Sequence, residues 1–270
     1  MKHEINYKVL TSVSEIEETL TMQKRIWSAS VAASLPEMMA TSHNGGVVIG
    51  AFMDKIMIGF CYGFPGYKGT EAYLCSHMLA VDPNYRNLGL GRELKLKQRD
   101  WAINYGYRKM VWTFDPLEAR NAYLNLCKLG AYTKTYLPSY YGEMEDQLNQ
   151  GLPSDRFWVE WELLSEGVTK AIDGSSLRST QWQSYPLLSE WSLQGEYPRP
   201  EALKEIQAAS GFLVPVPCSI QEIKANNPDL AREWRLAVRS QMILMFAKGY
   251  SAVGLLRQDA SISYYVLEKI

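Results

Sequence analysis

The sequence has few of the residues that build metal sites and disulfide frameworks. It contains three histidines and four cysteines in 270 residues, and no two cysteines form a Cys-x-x-Cys pair. Structural zinc sites need several closely spaced cysteine and histidine ligands, so we expect no metal centre. The cysteines are also widely scattered along the chain, which indicates a reduced, cytoplasmic protein. They are Cys61, Cys75, Cys127 and Cys218.

Other features that the sequence lacks exclude two classes of binding partner, nucleic acids and membranes. The chain has 28 Lys and Arg against 29 Asp and Glu, so it lacks the basic excess typical of nucleic-acid binding. No apolar run approaches the ~18 residues of a membrane-spanning helix. The N-terminus, Met1-Lys2-His3-Glu4, lacks the apolar stretch of a signal peptide. With 47% hydrophobic residues the chain can form one large domain or two small ones, and we expect it to bind neither nucleic acid nor membrane.

The stretch over residues 78–92 organises the chain. An apolar run from Cys75 to Val81 predicts a strand, Asp82-Pro83 ends it, and Arg86-x-x-Gly89-x-Gly91 opens a helix predicted to end near Tyr105. Glycines let the backbone approach a ligand closely. The helix start presents unpaired N–H groups at the positive end of the helix dipole. This combination predicts a pyrophosphate site, although a glycine-rich turn before an ordinary helix has the same appearance.

Two other phosphate-binding loops do not fit this stretch. A dinucleotide-binding loop needs a third glycine and an acidic residue about 20 positions on. A P-loop needs Gly-Lys-Ser/Thr, whereas Gly91 is followed here by Arg92-Glu93.

The run Ala80-Val81-Asp82-Pro83-x-Tyr85-Arg86-x-x-Gly89-x-Gly91 resembles the acetyl-CoA loop of the GNAT N-acetyltransferases. The resemblance covers about residues 5–165 and implies the GNAT fold, a mixed α/β sheet with helices on its faces. It also implies acetyl-CoA as the acyl donor, with its pantetheine arm paired to the backbone of Leu79, Ala80 and Val81. A backbone N–H near Val81 is then placed to polarise the thioester. The pyrophosphate is expected at the backbone of Arg86, Asn87, Leu88, Gly89, Leu90, Gly91 and Arg92, with a solvated loop charge as the alternative role of Arg86.

His77 is the candidate general base. Strand alternation predicts that His77, Leu79 and Val81 share one face of the sheet. In many members of the resembled family, the position four before the motif valine carries a carboxylate base. Histidine has a better unperturbed pKa for taking a proton from an ammonium. The alternative is a buried, hydrogen-bonded structural histidine.

The sequence departs from the family at the position of the usual general acid. The usual second motif ends Phe-Tyr-x-Lys-x-Gly-Phe, and the matching run is Asn125-Leu126-Cys127-Lys128-Leu129-Gly130-Ala131, with leucine in place of the tyrosine. Tyr123, three residues earlier on the same predicted helix, is one substitute. Tyr136, Tyr140 and Tyr141 are later candidates, of which Tyr141 is retained with Tyr123. The thiolate also has a pKa low enough to leave unassisted.

Other polar residues on and after this helix are candidate contacts. Asn121 and Asn125, four residues apart, are predicted on one helix face and are assigned with Lys128 to cofactor binding; the alternative is a solvated face. Cys127 is expected to be packed rather than nucleophilic. The connection over residues 138–154 is longer than a hairpin needs and is expected to border the acceptor. Its aromatic and acidic residues suit a cationic amine, and an ordinary surface loop has the same composition: Tyr140, Tyr141, Glu143, Glu145 and Asp146.

The last hundred residues lie outside the resemblance. We predict a GNAT domain over 1–165, a linker over 166–180 and a smaller α/β extension over 181–270. Asn227-Pro228-Asp229 starts a strong helix, followed by a terminal strand pair. Its apolar stripe is expected to cover the first domain's sheet or a second subunit, so a homodimer is possible. The stripe comprises Leu230, Trp234, Val238, Met242 and Met245.

Taken together, these features predict an acyl-CoA-dependent N-acyltransferase that transfers acetyl to a small-molecule amine. A rival hypothesis is an acyl-CoA sensor or interaction module in which catalysis has lapsed, which the absent tyrosine favours. A protein N-terminal acetyltransferase differs only in the acceptor.

Overall fold

The computed structural model describes residues 4–27, 32–144, 151–175, 180–258 and 260–270. Val31, Glu145, Asp146 and Ser176, which enter the sequence predictions for a helix face, the acceptor loop and the linker, lie outside these residues. The chain divides into two compact units. Unit 1 comprises Met1–Trp112 and Glu162–Leu164, and unit 2 comprises Thr113–Trp161 and Ser165–Ile270. This division does not fall at the linker predicted over 166–180.

Unit 1 is a five-stranded mixed sheet with three helices. Its elements in chain order are β1 (Ile5–Val9), α1 (Val13–Ile26), α2 (Leu35–His43), β2 (Val47–Met53), β3 (Ile56–Lys68), β4 (Glu71–Val81), α3 (Leu90–Tyr105) and the first part of β5 (Lys109–Phe114). The strands follow the order β1-β2-β3-β4-β5, antiparallel up to β4 and parallel between β4 and β5.

Local sequence explains most of these boundaries. Ser12 and Glu15 form a capping box at the start of α1. Asp54 and Lys55 both have positive φ, 48° and 73°, and join β2 to β3 in a tight hairpin. The run Phe64-Pro65-Gly66-Tyr67-Lys68-Gly69 predicts a loop, but β3 instead continues to Lys68 with Pro65 paired opposite Leu74. The hairpin of β3 and β4 is therefore longer than predicted.

The buried face of α3 differs from the one that hydrophobic spacing predicts, which comprises Leu90, Leu94, Trp101 and Tyr105. Leu90 and Leu94 are buried as expected, but Tyr105 is exposed and stacks with Trp101. Lys95 and Gln98 are buried instead. Hydrophobic periodicity assigned the aromatic residues to the core, whereas the helix turns two polar residues toward the sheet.

Unit 2 contains further strands and has its own helices. After the end of β5, its elements are α4 (Ala119–Ala122), a π-helix (Tyr123–Lys128), β6 (Tyr132–Leu137), β7 (Arg156–Glu162), α5 (Glu166–Asp173), β8 (Ser189–Gln194), β9 (Tyr197–Leu203), β10 (Gly211–Pro217), α6 (Ile220–Asn226), α7 (Pro228–Ala247), β11 (Ser251–Arg257) and β12 (Ile262–Glu268). The main strands follow the order β7-β6-β11-β12-β10, and β8 and β9 form a separate hairpin.

The sequence predicts one helix from Leu117 to Leu129, stopped by Gly130, but its second half is a π-helix. The backbone N–H of Leu129 bonds to the carbonyl of Leu124, five residues back. This wider spacing changes the helical phase after Ala122. Faces assigned by 3.6-residue periodicity therefore do not hold beyond this point.

The tail is more regular than its prolines suggested. The predicted linker begins with α5, capped by Ser165, and the irregular stretch contains the hairpin of β8 and β9. The predicted stripe of α7 is buried throughout and packs against β6, β9 and β10. The extension thus covers a strand of the predicted first domain, β6. Among the described residues, no helix is both long and apolar enough to span a membrane.

Candidate functional site

One edge of β4 is left open toward β5. The parallel ladder between these strands joins only Leu74 to Met110 and Cys75 to Val111. On its other edge, β4 pairs with β3 as far as Val81. The backbone from Ser76 to Val81 therefore has no partner in the β4–β5 ladder. An extended ligand arm can bind such an edge in the manner of an added strand.

A β-bulge in β4 places the candidate base. Tyr62 of β3 lies opposite Met78 and Gly63 lies opposite Ser76, so His77 is the extra residue. The prediction that His77 shares a face with Leu79 and Val81 is wrong, because the bulge interrupts the alternation on which it rested. The ring centroid of His77 lies 6.1 Å from that of Tyr62 and 5.4 Å from that of Phe64.

Contacts of β3 separate the two faces. Tyr62 donates its hydroxyl to Thr41 of α2, whereas the thiol of Cys61 points to the carbonyl of Leu94 in α3. Leu79 lies opposite Cys61 and so belongs to the α3 face, while His77 contacts Tyr62 on the α1 and α2 face.

His77 is surrounded by aromatic rings but keeps solvent access. Burial lowers the pKa of His77 below its usual value, and the nearby carboxylate of Glu37 opposes this shift. A lowered pKa leaves the imidazole neutral at physiological pH, the form that accepts a proton.

The glycine loop begins at a fixed acid. Asp82 is buried, accepts the N–H of Asn84 at 2.9 Å and pairs with Arg25 of α1 at 2.5 Å. Asn87 and Gly89 then take left-handed φ values of 70° and 79°. These turns lead the chain from the strand end into α3.

The start of α3 differs from the other long helix starts. Ser12, Ser34, Ser165 and Asn227 each accept a backbone N–H at the start of α1, α2, α5 and α7. Gly89 caps α3 without any side-chain bond. The N–H groups of Arg92 and Glu93 bond to the carbonyl of Gly89, and no side chain caps the turn, so an anion is the external partner that this helix start favours.

Unit 1 thus brings together ten predicted positions on one strand, loop and helix start. They are His77, Leu79, Ala80, Val81, Arg86, Asn87, Leu88, Gly89, Leu90 and Gly91, and Arg92 follows on the first turn of α3. Arg92 pairs with the adjacent Glu93 at 3.0 Å.

In unit 2, the π-helix separates residues predicted on one face. Asn121 is exposed and Asn125 is buried, so the prediction that they share a face is wrong. The phase change after Ala122 is the reason. Leu126, which replaces the usual tyrosine, is fully buried.

Tyr123 lies in a cationic setting. The Arg257 guanidinium is 3.9 Å from its ring centroid, and the Lys128 ammonium is 5.5 Å away. Cys127 is packed as expected, since its sulfur accepts the N–H of Leu255 at 3.1 Å.

The later tyrosines have different surroundings. Tyr136 is buried, donates its hydroxyl to Asp155 at 2.6 Å, and has a strongly raised pKa because of burial. Tyr141 is exposed, with its hydroxyl 3.2 Å from that of Thr113. Tyr140 is also exposed and packs edge-on against Tyr141.

Two buried ion pairs in unit 2 were not predicted. Arg235 of α7 binds Asp115 at 2.8 and 2.5 Å, and Arg239 binds Asp155 at 2.8 and 2.6 Å. Asp155 also accepts the N–H of Ser139, which fixes the start of the 138–154 connection. The sequence feature that could have predicted these ion pairs is the spacing of Arg235 and Arg239, which lie four residues apart beside the apolar stripe of α7.

The acetyltransferase (GNAT) family model matches residues 14–130. Residues 14–130 are a GNAT acetyltransferase domain. The GNAT match contains β4, the glycine loop, α3 and the π-helix, and it confirms the resemblance and the fold class predicted from the motif. No curated protein sequence matches the chain.

The chain is similar to several solved structures. One is Arabidopsis thaliana Naa50 with the bisubstrate analogue CoA-Ac-MVNAL, 14% identical, covering 58% of this chain and 97% of that chain, with a TM-score of 0.47. Another is a GNAT family acetyltransferase from Elizabethkingia anophelis with acetyl-CoA bound, 19% identical, with coverages of 58% and 97% and a TM-score of 0.45. An aminoglycoside acetyltransferase from an uncultured soil metagenomic sample, in complex with sisomicin, is 13% identical with coverages of 42% and 78% and a TM-score of 0.36.

Proposed function

We propose that the protein is an acyl-CoA-dependent N-acyltransferase that acts on the amine of a small molecule. The observation that carries the proposal is the uncapped start of α3, which follows directly on the open edge of β4. Leu79, Ala80 and Val81 hold the pantetheine arm, and the loop from Arg86 to Arg92 holds the pyrophosphate. Asn121, Asn125 and Lys128 of unit 2 remain candidates for further contacts with the cofactor.

The reaction is a direct transfer. The neutral amine attacks the thioester carbonyl, so a C–N bond forms and the C–S bond breaks. The proton lost by the amine goes to His77, and coenzyme A leaves as a thiolate. Tyr123 and Tyr141 are the candidate proton donors to the thiolate, and solvent is the alternative source. The exposed hydroxyl of Tyr141 suits this role better than Tyr136, whose hydroxyl is committed to Asp155.

A thiol-release assay with acetyl-CoA and a panel of amines tests this function. Release that depends on one amine class, together with a product heavier by one acetyl group, supports the proposal. Peptides with free N-termini form a separate arm of the panel, because a protein N-terminal acetyltransferase would respond only to them.

The second candidate function is a lapsed acyl-CoA sensor. The buried Leu126 in the tyrosine position favours it. Tight acetyl-CoA binding without thiol release from any acceptor is the result expected of a sensor.

Two further predictions accompany the proposal, one on the cellular setting and one on the oligomeric state. The four cysteines, all within the described residues, form no disulfide, which agrees with a reduced, cytoplasmic setting. A homodimer stays a prediction, with light scattering of the full chain as its test.

A further inference from the structure

Four buried side chains form a polar cluster inside unit 1. The Lys95 ammonium donates to the Ser76 hydroxyl at 2.7 Å and lies 3.6 Å from the ring centroid of Trp112. The Ser76 hydroxyl donates in turn to the Gln98 side-chain oxygen at 2.5 Å. Lys95 is 3% exposed and Gln98 is 0% exposed. A lysine is rarely buried this deeply without an acidic partner.

Lys95 has no counter-charge in the described part of the chain. The titratable groups that face it are Cys61 of β3 and Cys75 of β4. Burial raises the pKa of these thiols to about 12 and about 11, so both are neutral at pH 7. From β5, the neighbour is the uncharged ring of Trp112. Burial consequently lowers the pKa of Lys95 to about 7.

The cluster lies where β4 and β5 stop pairing. Cys75 and Val111 are the last paired residues, and Ser76 and Trp112 directly follow them. Lys95 contacts both of these residues. Its ammonium therefore lies at the closed end of the open β4 edge, three residues along the strand from Leu79. Leu79 and α3 are on the same face of the sheet, and the glycine loop leads from the end of β4 into α3.

A glycine in β3, Gly63, leaves space for this cluster. A Cβ atom on Gly63 would lie 2.9 Å from the Gln98 side-chain nitrogen, so a larger residue there would displace the amide. That nitrogen is buried and has no hydrogen-bond partner in the described part of the chain. The cluster thus contains a cation and a second donor, and its missing component is a charged acceptor.

We propose that Lys95 and Ser76 select an acyl-CoA whose acyl group ends in a carboxylate, such as succinyl-CoA. This inference rests on the proposed function, because the thioester must first occupy the open edge of β4. The carboxylate replaces the Trp112 ring face as the partner of the ammonium, and a charge-assisted hydrogen bond is stronger than a cation–π contact. The donor class that this cluster favours is therefore a dicarboxylic acyl thioester over an acyl thioester without a terminal charge.

Calorimetry with three thioesters tests the inference on the full chain. Succinyl-CoA and butyryl-CoA have acyl chains of equal length and differ in the terminal carboxylate, and acetyl-CoA is the short reference. We expect succinyl-CoA to bind at least about tenfold more tightly than butyryl-CoA. At pH 8, succinyl-CoA should also cause proton uptake, measured as a dependence of the binding heat on the buffer, because the nearby carboxylate raises the pKa of Lys95 and the amine then takes up a proton from the buffer.

Matched variants locate the effect. Lys95→Met should reduce the preference for succinyl-CoA over butyryl-CoA to about one and abolish proton uptake. Lys97→Met, two residues away and exposed, should retain both properties. If Lys95→Met does not fold, Ser76→Ala takes its place and should weaken the preference.

The outcomes separate the two proposals. Equal affinities of the wild-type chain for succinyl-CoA and butyryl-CoA overturn the inference and leave the acyltransferase function standing. A preference that survives in Lys95→Met also overturns it. Failure of all three thioesters and of free CoA to bind overturns both proposals.

Discussion

The two units differ in the partners of their buried, positively charged side chains. In unit 2, Arg235 and Arg239 of α7 each bind an aspartate through two hydrogen bonds. In unit 1, Lys95 of α3 meets a hydroxyl and a ring but no acid among the described residues. The helix starts differ in the same way, since Asn227 caps α7 and no side chain caps α3. Buried charges and helix starts whose partners lie within the protein stabilise its structure. Buried charges and helix starts that lack such partners beside a cleft indicate a ligand.

The strongest test of the completed unit is to remove the tail. Truncation after Ser165 deletes β11 beside β6 and leaves Asp115 and Asp155 without their arginines. We expect a fragment of residues 1–165 to be insoluble, as measured by expression and light scattering. A soluble, monodisperse and active fragment with the oligomeric state of the full chain would show that the tail is an independent appendage.

His77→Ala tests the chemistry of unit 1. If the bulged histidine is the base, turnover should fall by about 10² to 10⁴ with little change in acetyl-CoA affinity. The wild-type rate should decline at low pH with a midpoint below the usual histidine pKa, because burial lowers that of His77. Exposed His43 is the matched control for histidine loss. Wild-type turnover in folded His77→Ala would assign the ring a purely structural role.

Arg235→Met breaks one completed pair in unit 2. Arg235 is 1% exposed, and its loss leaves the Asp115 carboxylate with only the longer contact to Arg156 at 3.8 Å; breaking a buried pair typically costs about 3–5 kcal/mol. Urea unfolding measures the change. Arg199, which pairs with Glu233 on the surface, supplies the control: Arg199→Met should cost less than about 1 kcal/mol. Equal midpoints for the two variants would remove the distinction between buried and surface pairs.

Lys95→Met removes the incomplete charge in unit 1. Burial lowers the pKa of Lys95 to about 7, so the unfolded chain holds more protons than the folded chain between pH 7 and about 10. Wild-type stability should therefore rise with pH across this window by as much as a few kcal/mol, and the variant should lack that rise. Denaturation at several pH values, with Lys97→Met as control, measures it. Parallel pH profiles for wild type and Lys95→Met would show that the ammonium carries no penalty.

Gly89→Val tests the uncapped start of α3. Gly89 has φ of +79°, which a β-branched residue adopts only with strain of about 1–3 kcal/mol, and its side chain would face the incoming pyrophosphate. We expect acetyl-CoA affinity to fall by roughly 5- to 150-fold in calorimetry. Gly106→Val, at the other end of α3 with φ of +113°, carries similar strain away from the loop and should keep the affinity. Unchanged affinity in a folded Gly89→Val would contradict the pyrophosphate assignment.

The sequence predicted the elements whose signals are local. The strand over 109–114, the Asn227 cap and the stripe of α7 are confirmed, and of the two candidate caps of the first helix, Ser12 and Ser14, the structure has Ser12. Each depends on residues within a few positions of one another, which is the range over which caps and hydrophobic periodicity act.

What the sequence did not predict depends on partners far along the chain. The bulge at His77 is defined only by its register with β3, and the π-helix by a single changed hydrogen-bond step. The pairing of Asp115 with Arg235 joins residues 120 positions apart. Hydrophobic periodicity does not predict the burial of Lys95, because it assigns lysine to the surface.

The arrangement of the last strands also determines how the sheet of unit 2 meets other molecules. β11 lies beside β6, so the protein's own tail occupies the place where a strand from another copy would otherwise add. At the outer edge, the N–H of Leu213 bonds to the carbonyl of Pro186, and Pro215 and Pro217 share its direction by strand alternation and have no N–H to donate. Edge-to-edge aggregation is thereby blocked at this edge. A dimer, if it forms, must use helix faces or loops rather than exchanged strands at β6 or β10.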